Sequence, residues 1–259
     1  MTTFEALPRR WRADRLVCSD RARLDGARVT VDDDALVVVA ASARGTSVVG
    51  YGDEGAAART VTQLVEAGGL AGPVRWVTLP RDVDLPAAVT AELGVEPLPG
   101  WDWLTVDSVA ARQPREEDVT RLDPARDTDA IRDCLEAANP GTNADPAGPR
   151  EVAWWGVRAP DGLAGVIGAT RRGSDDAARE TWHLHGLGVR PTSRRDGLGR
   201  ALTAAAVRDG LGAGASWVSL GVWADNEPAL AIYASLGFRT DHRRRSYRPV
   251  GTPVEYREH

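Results

Sequence analysis

The sequence predicts an α/β protein in which helices cross over a mixed sheet, and it predicts two related halves. Strand-like and helix-like segments alternate along the chain, which is typical of a partly parallel sheet with crossover helices. The sequence of residues 69–79 is partly repeated at 210–220, where Gly, Leu, Trp, Val and a second Leu occupy matching positions. Residues 91–95 likewise resemble residues 234–238. A chain of 259 residues can hold two domains of ordinary size.

Each copy is predicted to contain the same five elements. In the first copy they are a strand at 47–51, a helix at 54–67, a strand at 74–79, a helix at 85–93 and a strand at 101–106. In the second copy they are a strand at 182–189, a helix at 199–211, a strand at 217–222, a helix at 228–236 and a strand at 238–247. Before the second copy come a strand at 119–122, a helix at 127–138 and a hairpin with strands at 154–158 and 163–170.

The polar segment 107–118 is predicted to be a linker between a first domain at 1–106 and a second at 119–259. The loop 139–150 contains Pro, Gly and Asn and lacks apolar periodicity. Together with the loop near Asp241, it is expected to form the wall of a substrate pocket.

The composition excludes several classes of partner. The net charge is −5, and neither half has the basic excess typical of nucleic-acid binders. The longest apolar run, residues 35–41, is too short to span a membrane, and the N-terminus lacks the hydrophobic core of a signal peptide. The two cysteines, Cys18 and Cys134, lie far apart without a CxxC motif. We therefore expect a reduced cytoplasmic protein that binds neither nucleic acid nor membrane.

A glycine-rich turn before a predicted helix is the most informative motif. After the strand at 182–189 the chain reads Arg194-x-x-Gly197-x-Gly199, and an amphipathic helix follows. Backbone N–H groups at such a helix start can close on an anion, and the helix dipole strengthens the attraction. A pyrophosphate is the expected ligand of this turn.

A second motif follows the next predicted strand. It runs Asn226-x-x-Ala-x-x-Ile-Tyr233-x-x-x-Gly237-Phe238, with Asn226 as the expected N-cap and Gly237 as the expected terminator of a helix. Together the two motifs resemble those of the GNAT superfamily of acyl-CoA N-acyltransferases. The resemblance implies the GNAT fold, preceded here by a truncated GNAT-like half, and acetyl-CoA as the co-substrate without a metal.

The resemblance also implies which residues contact acetyl-CoA. In the family, the strand before the loop splays from its neighbour at a bulge and binds the pantetheine arm, and the loop amides hold the pyrophosphate. The implied contacts are Leu187, Gly188 and Val189 on the strand, Arg194, Arg195, Asp196, Gly197, Leu198, Gly199 and Arg200 in the loop, and Asn226 beside the pantetheine.

The first copy departs from this pattern. Aligning Gly55 with Gly197 places Gly52 where Arg194 stands, and Thr90 falls in the place of Tyr233. The first half is therefore predicted to be a degenerate relative that does not bind CoA.

Two strand histidines are the candidates for proton removal from an amine. His183 stands eleven residues before Arg194, where family members often carry Glu, and His185 shares its strand face by the two-residue period. The stretch 183–189 resembles that of arylalkylamine N-acetyltransferase, in which paired histidines remove the proton, a task that suits imidazole. Tyr233 is the candidate acid for the departing thiolate. The alternative for all three residues is a place in the core.

Two further groups of residues carry expectations of their own. The basic run Arg243 to Arg245 is most simply a solvated edge, and the alternative is an anion-binding wall. Trp154 and Trp155 alternate faces, so one should be core and the other should line the acceptor site.

The leading interpretation is an acetyl-CoA-dependent N-acetyltransferase that acts on a small primary amine by direct attack in a ternary complex. The alternatives are a protein N-terminal acetyltransferase, a mycothiol-synthase-like acetylase and, outside the enzymes, an acyl-CoA-binding regulatory module. Two related halves can pack as an internal pseudo-dimer, so we expect a monomer or a weak dimer.

Overall fold

The structure, a computed structural model, describes residues 2–70, 72–173 and 180–252. The chain divides into two compact units. Unit 1 comprises Met1–Trp103, Trp223–Asp225 and Asp241–Pro253, and unit 2 comprises mainly Leu104–Val222 and Asn226–Thr240. The first boundary lies near the expected residue 106. The segment Asp241–Pro253, by contrast, belongs to unit 1. The sequence predicts that this segment is part of the second domain, 119–259.

The predicted α/β architecture with crossover helices is confirmed. The strands are β1 Arg28–Val31, β2 Ala35–Ser42, β3 Gly45–Gly52, β4 Val74–Pro80, β5 Val95–Val106, β6 Val119–Leu122, β7 Glu151–Ala159, β8 Gly162–Gly173, β9 Glu180–Val189, β10 Val218–Trp223 and β11 Arg239–Pro249. The helices are α1 Thr3–Ala6, α2 Arg9–Ala13, α3 Arg15–Ser19, α4 Glu54–Glu66, α5 Ala87–Leu93, α6 Pro124–Ala138, α7 Leu198–Gly212 and α8 Glu227–Ser235.

Unit 1 is built on a mixed sheet in the order β1-β2-β3-β4-β11-β5. β3 and β4 are parallel, as a crossover through α4 requires, whereas β11 pairs antiparallel with β4 from Arg244 opposite Pro80 to Tyr247 opposite Val77. Apolar side chains of α4, including Val61, pack on Val48 of β3 in the unit's buried core. The C-terminal strand thus completes the sheet of the first unit.

The expectation of a solvated edge at Arg243 to Arg245 is wrong for its middle residue. Arg244 is fully buried, and its guanidinium donates to the backbone oxygen of Gly50 at 2.7 Å and lies 5.3 Å from the ring centre of Tyr51. Burial lowers the pKa of this guanidinium. Alternation along β11 explains the difference, because neighbouring residues of a strand point to opposite faces.

Unit 2 contains the strand order β10-β9-β8-β7-β6. Neighbouring strands from β6 to β9 pair antiparallel with one another, and β10 pairs parallel with β9. The two faces of the sheet carry separate apolar clusters. One joins Ile131 of α6 to Trp154, and the other joins Leu202 of α7 to Trp155. Helices α6 and α7 therefore cover different faces of the sheet.

The segment expected to be a linker is anchored at its end. Residues Glu116–Asp118 form a 3-10 helix, and the buried Glu116 carboxylate accepts hydrogen bonds from Arg208 Nε at 2.7 Å and from the Gln113 backbone at 2.8 Å. Burial acts to raise the pKa of Glu116, but the Arg208 hydrogen bond and the other favourable contacts outweigh it and leave this pKa lowered. The ion pair fastens the start of the second half to α7.

Within the described ranges, no helix has the length and apolar character needed to span a membrane.

Candidate functional site

The N-terminus of α7 is open to a ligand. Its N-cap is Gly197 with φ of 77°, and no side chain caps the helix. Arg195 also has a positive φ, 67°. A Cβ built on Gly197 would meet no atom within 4 Å, so this face of the turn borders open space. Among the described residues, the N-cap offers the first-turn amides of α7 no side-chain acceptor, and the helix dipole favours an anion there.

Side chains of the same turn hold its shape. Arg194 donates from Nε to the Val189 oxygen at 3.1 Å and from its terminal nitrogen to the Ala138 oxygen at 3.0 Å. Asp196 pairs with Arg115, and Leu198 is buried in the core while Arg200 is exposed. The Arg194 side chain therefore positions the loop by tying it to the ends of β9 and α6.

Strand β9 contains a bulge just before its last residues. Val166 of β8 pairs with Gly188, and Gly168 pairs with His185, so one residue of β8 faces two residues of β9. Gly186, with φ of 60°, stands at this point. The bulge redirects the stretch that contains Leu187 to Val189, the residues implied as backbone contacts.

Strands β9 and β10 pair over a short stretch only. Within the described residues, the pairs run from Trp182 with Val218 to Leu184 with Leu220, although both strands continue beyond them. The two strands therefore part immediately after His183 and Leu184. The pairing with β10 therefore ends before the bulge of β9.

His183 lies within the paired stretch of β9, opposite Ser219 of β10. It is 4% exposed, and its Nδ1 is 3.0 Å from the Ser219 hydroxyl, which itself donates to the Trp182 backbone oxygen at 3.3 Å. A hydroxyl that donates to the carbonyl accepts from Nδ1–H, so the neutral ring carries its lone pair on Nε2. This tautomer can accept a proton at Nε2.

His185 has a different partner. Its Nε2 is 3.1 Å from a carboxylate oxygen of Glu151, and its ring packs edge-on against Trp154 with 5.3 Å between centroids. A Cβ on Gly168 would approach the Trp154 ring to 2.6 Å and His185 to 3.0 Å, so only glycine leaves room for this packing. The two histidines thus lie together on one strand, and each ring is held by its own hydrogen bond.

Helix α8 carries the second motif. Asn226 accepts from the Ala229 backbone at 3.2 Å and caps the helix, as expected. Tyr233 is 7% exposed, belongs to the core cluster and packs against Phe238 with 5.7 Å between ring centroids. These positions are compatible with both the catalytic and the core interpretation of Tyr233.

Comparison with known proteins agrees with these features. The model of the acetyltransferase (GNAT) family matches residues 116–238. Residues 116–238 belong to the GNAT family. A mycothiol acetyltransferase of Paenarthrobacter aurescens is 32% identical over 210 residues, which cover 75% of this chain and 57% of that protein. A mycothiol acetyltransferase of Nocardiopsis dassonvillei is 52% identical over 52 residues, 20% of this chain and 16% of that protein.

The matches to these curated relatives therefore span between 16% and 57% of the relatives' own length. A solved GCN5-related N-acetyltransferase from Kribbella flavida has a TM-score of 0.56 at 18% identity and covers 93% of this chain and 97% of its own. At that identity the likeness shows the GNAT fold alone.

The corresponding helix of unit 1 differs from the GNAT helix α7 at its start. The N-cap of α4 is Asp53, whose carboxylate accepts from the Ala56 backbone at 2.8 Å. The caps therefore place Asp53, and not the expected Gly55, opposite Gly197. The β3–β4 pairing ends at Val49 and Thr78, and four residues separate Val49 from α4, whereas thirteen separate Leu184 from α7. In the described residues of unit 1, the start of α4 therefore has neither the open turn nor the long strand extension that precede α7.

Sequence reasoning missed several side chains around the GNAT site. The partners Glu151 and Ser219 carry no local motif, because each meets its histidine through sheet pairing between distant segments. The expectation that only one of Trp154 and Trp155 is core is wrong, since both are buried, one under α6 and one under α7. In the described part of the chain, no group of three or more His, Cys, Asp or Glu could hold a metal ion.

Proposed function

We propose that the protein is an acetyl-CoA-dependent N-acetyltransferase that acetylates a small primary amine by direct attack in a ternary complex. The observation that carries the proposal is the uncapped, glycine-started N-terminus of α7 beside the bulged end of β9. Such a helix start binds phosphate groups through its amides and dipole. The pairing of β9 with β10 runs only to Leu184 and Leu220, and we propose that an extended ligand arm binds along the edges that follow.

Bound acetyl-CoA supplies an acetyl group on a thioester, and the chain supplies the turn that binds it and the groups that move protons. A primary amine must lose a proton as its nitrogen forms the amide bond. His183 or His185 accepts this proton on a ring nitrogen and releases it to solvent. The C–S bond breaks as the C–N bond forms, and the electron pair leaves with the CoA sulfur.

Tyr233 is proposed as the donor that protonates this sulfur. Its hydroxyl proton passes to the thiolate, and the phenolate regains a proton from solvent. Asn226 caps α8 and so fixes the helix that carries Tyr233. One amine and one thioester then become one amide and one thiol, with no redox change.

A second candidate acceptor is suggested by the relatives named mycothiol acetyltransferase. In this version the chain acetylates the amine of a thiol precursor, as the mycothiol-synthase-like interpretation states. Acetylation of a protein N-terminus and silent acyl-CoA binding are the remaining alternatives. We further propose that unit 1 is a degenerate GNAT-like half without CoA and that the protein acts in the cytoplasm as a monomer or weak dimer.

The test is release of CoA thiol from acetyl-CoA over a panel of acceptors. The panel contains small arylalkyl and alkyl amines, a mycothiol-type thiol precursor and short peptides with free N-termini, and intact-mass analysis identifies the product. Amine-dependent thiol release with a mass gain of one acetyl group supports the proposal. Tight CoA binding without thiol release across the panel would favour the silent binding module.

A further inference from the structure

We propose that Glu151 is a positioning residue that holds His185 in the Nε2–H tautomer, so that Nδ1 of His185 takes the proton of the acceptor amine. The inference rests on the proposed function and adds a residue to its machinery. Glu151 begins β7, 34 residues before His185, and no motif of the chain includes it.

The bond between the two side chains is well sheltered. The Glu151 and His185 side chains are 11% and 9% exposed, and their Oε2–Nε2 distance is 3.1 Å. An ionised carboxylate has only acceptor oxygens, so a proton must lie on Nε2. The lone pair of the neutral ring then lies on Nδ1, and the shielded carboxylate stabilises the positive charge that the ring gains with a second proton.

The surrounding residues allow His185 little rotation. Trp154 packs edge-on against the imidazole, and Gly168 has no side chain to displace either ring. Gly186 follows directly, and a Cβ there would approach the Trp154 ring to 2.8 Å. A ring that is packed on its side and bonded at Nε2 keeps one orientation, which is what a base needs to meet its substrate repeatedly.

The sheet register explains why Glu151 can reach this histidine. Glu151 pairs with Thr170 of β8, and Thr170 pairs with His183 of β9. All three positions lie in one row across the sheet, and His185 is one row further on the same face of β9. Glu151 therefore lies in the same row of the sheet as His183, and its side chain reaches His185 across β8.

The experiment compares Glu151→Gln and Glu151→Leu with the wild type. Gln keeps a carbonyl acceptor and removes the charge, whereas Leu removes both. Glu180→Gln is the matched control, because Glu180 also accepts from a ring N–H, that of Trp182 at 2.8 Å, but lies at the far end of β9. We expect kcat to fall by about 10-fold with Gln and by about 100-fold with Leu, the scale seen for residues that orient a functional histidine. The KM for acetyl-CoA should stay unchanged, because the turn at Gly197 is untouched.

A second readout separates positioning from packing. The chain has four histidines, so ¹⁵N spectra of the imidazoles are simple, and His185→Gln assigns the signal. We expect the Nε2–H tautomer in the wild type and a mixture of tautomers in Glu151→Leu. An Nδ1–H tautomer in the wild type, or full kcat in a folded Glu151→Gln, would overturn the inference. If Glu151→Leu does not fold, the kcat of Glu151→Gln alone tests the inference. A wild type that transfers acetyl to no amine refutes the proposed function instead.

Discussion

Replacing Gly197 by Asp should abolish CoA binding at the open start of α7. At the start of α4, the carboxylate of Asp53 accepts a hydrogen bond from the Ala56 backbone at 2.8 Å. Gly197 has a left-handed backbone and Asp53 an extended one, so an aspartate at Gly197 is not expected to cap the helix in the same way. It would bring a negative charge to the place where we propose a pyrophosphate binds. We therefore expect CoA binding to be lost while the helix itself persists.

The magnitude follows from charge and distance. Two unit charges about 4 Å apart repel by about 4 kcal/mol at an effective dielectric constant of about 20. Even half of that weakens binding by roughly 30-fold, since 1.4 kcal/mol is a factor of ten. The positive φ of 77° at Gly197 costs a residue with a Cβ about 1 kcal/mol, so Tm should fall by about 2–4 °C.

Calorimetric titration with CoA measures both the affinity and the number of sites. The matched control is Gly214→Asp, because Gly214 follows the other end of α7, has φ of 99° and would place its Cβ in open space. We expect about one site per chain in the wild type and in the control, and a Kd raised by at least roughly 30-fold in Gly197→Asp. Unchanged affinity in Gly197→Asp, or two sites in the wild type, would refute the reasoning.

Three further predictions concern single side chains. Tyr233→Phe should lower kcat by roughly 10²–10³-fold with little change in Tm if the hydroxyl is the acid, whereas unchanged kcat with a lower Tm would assign the ring to the core. Glu116→Gln should destabilise the fold by about 1–3 kcal/mol at pH 7, measured by thermal unfolding. Because the folded-state pKa of Glu116 is lowered, this contribution is present above its unfolded pKa and is lost as pH falls through the folded value, so wild type and variant should converge in acid. Cys134 is fully buried and its pKa is raised by that burial, so it should resist a thiol reagent until the protein unfolds; rapid native reaction of Cys134 in a Cys18→Ser variant would contradict this.

The repeated elements could be predicted because their patterns are local. The helix expected at 199–211 is Leu198–Gly212, and the strand expected at 119–122 is Val119–Leu122. Strand β2 was not predicted, because its apolar run has no alternation that distinguishes a buried strand from a helix. The short helices before it were also missed, since each is only a turn or so long.

The site could be predicted only as far as backbone motifs reach. The turn at Gly197 and the cap at Asn226 depend on neighbouring residues, and both lie where the sequence placed them. The partners of His183 and His185 depend on which strands become neighbours and in what register, which no local pattern encodes. Burial of Arg244 has the same origin, because its acceptor Gly50 is 194 residues away.

The route of the C-terminal strand has a practical consequence for dividing this chain into fragments. The last described residue of unit 2 is Thr240, two residues after the family match ends. The residues after Thr240 belong to β11, which completes the sheet of unit 1 between β4 and β5. A gene cut near residue 106 would therefore yield a C-terminal product with an unpaired, aggregation-prone strand and an N-terminal product with a missing one. A division that respects these contacts keeps residues 241–252 with the first fragment, for example as an added peptide that supplies its missing strand.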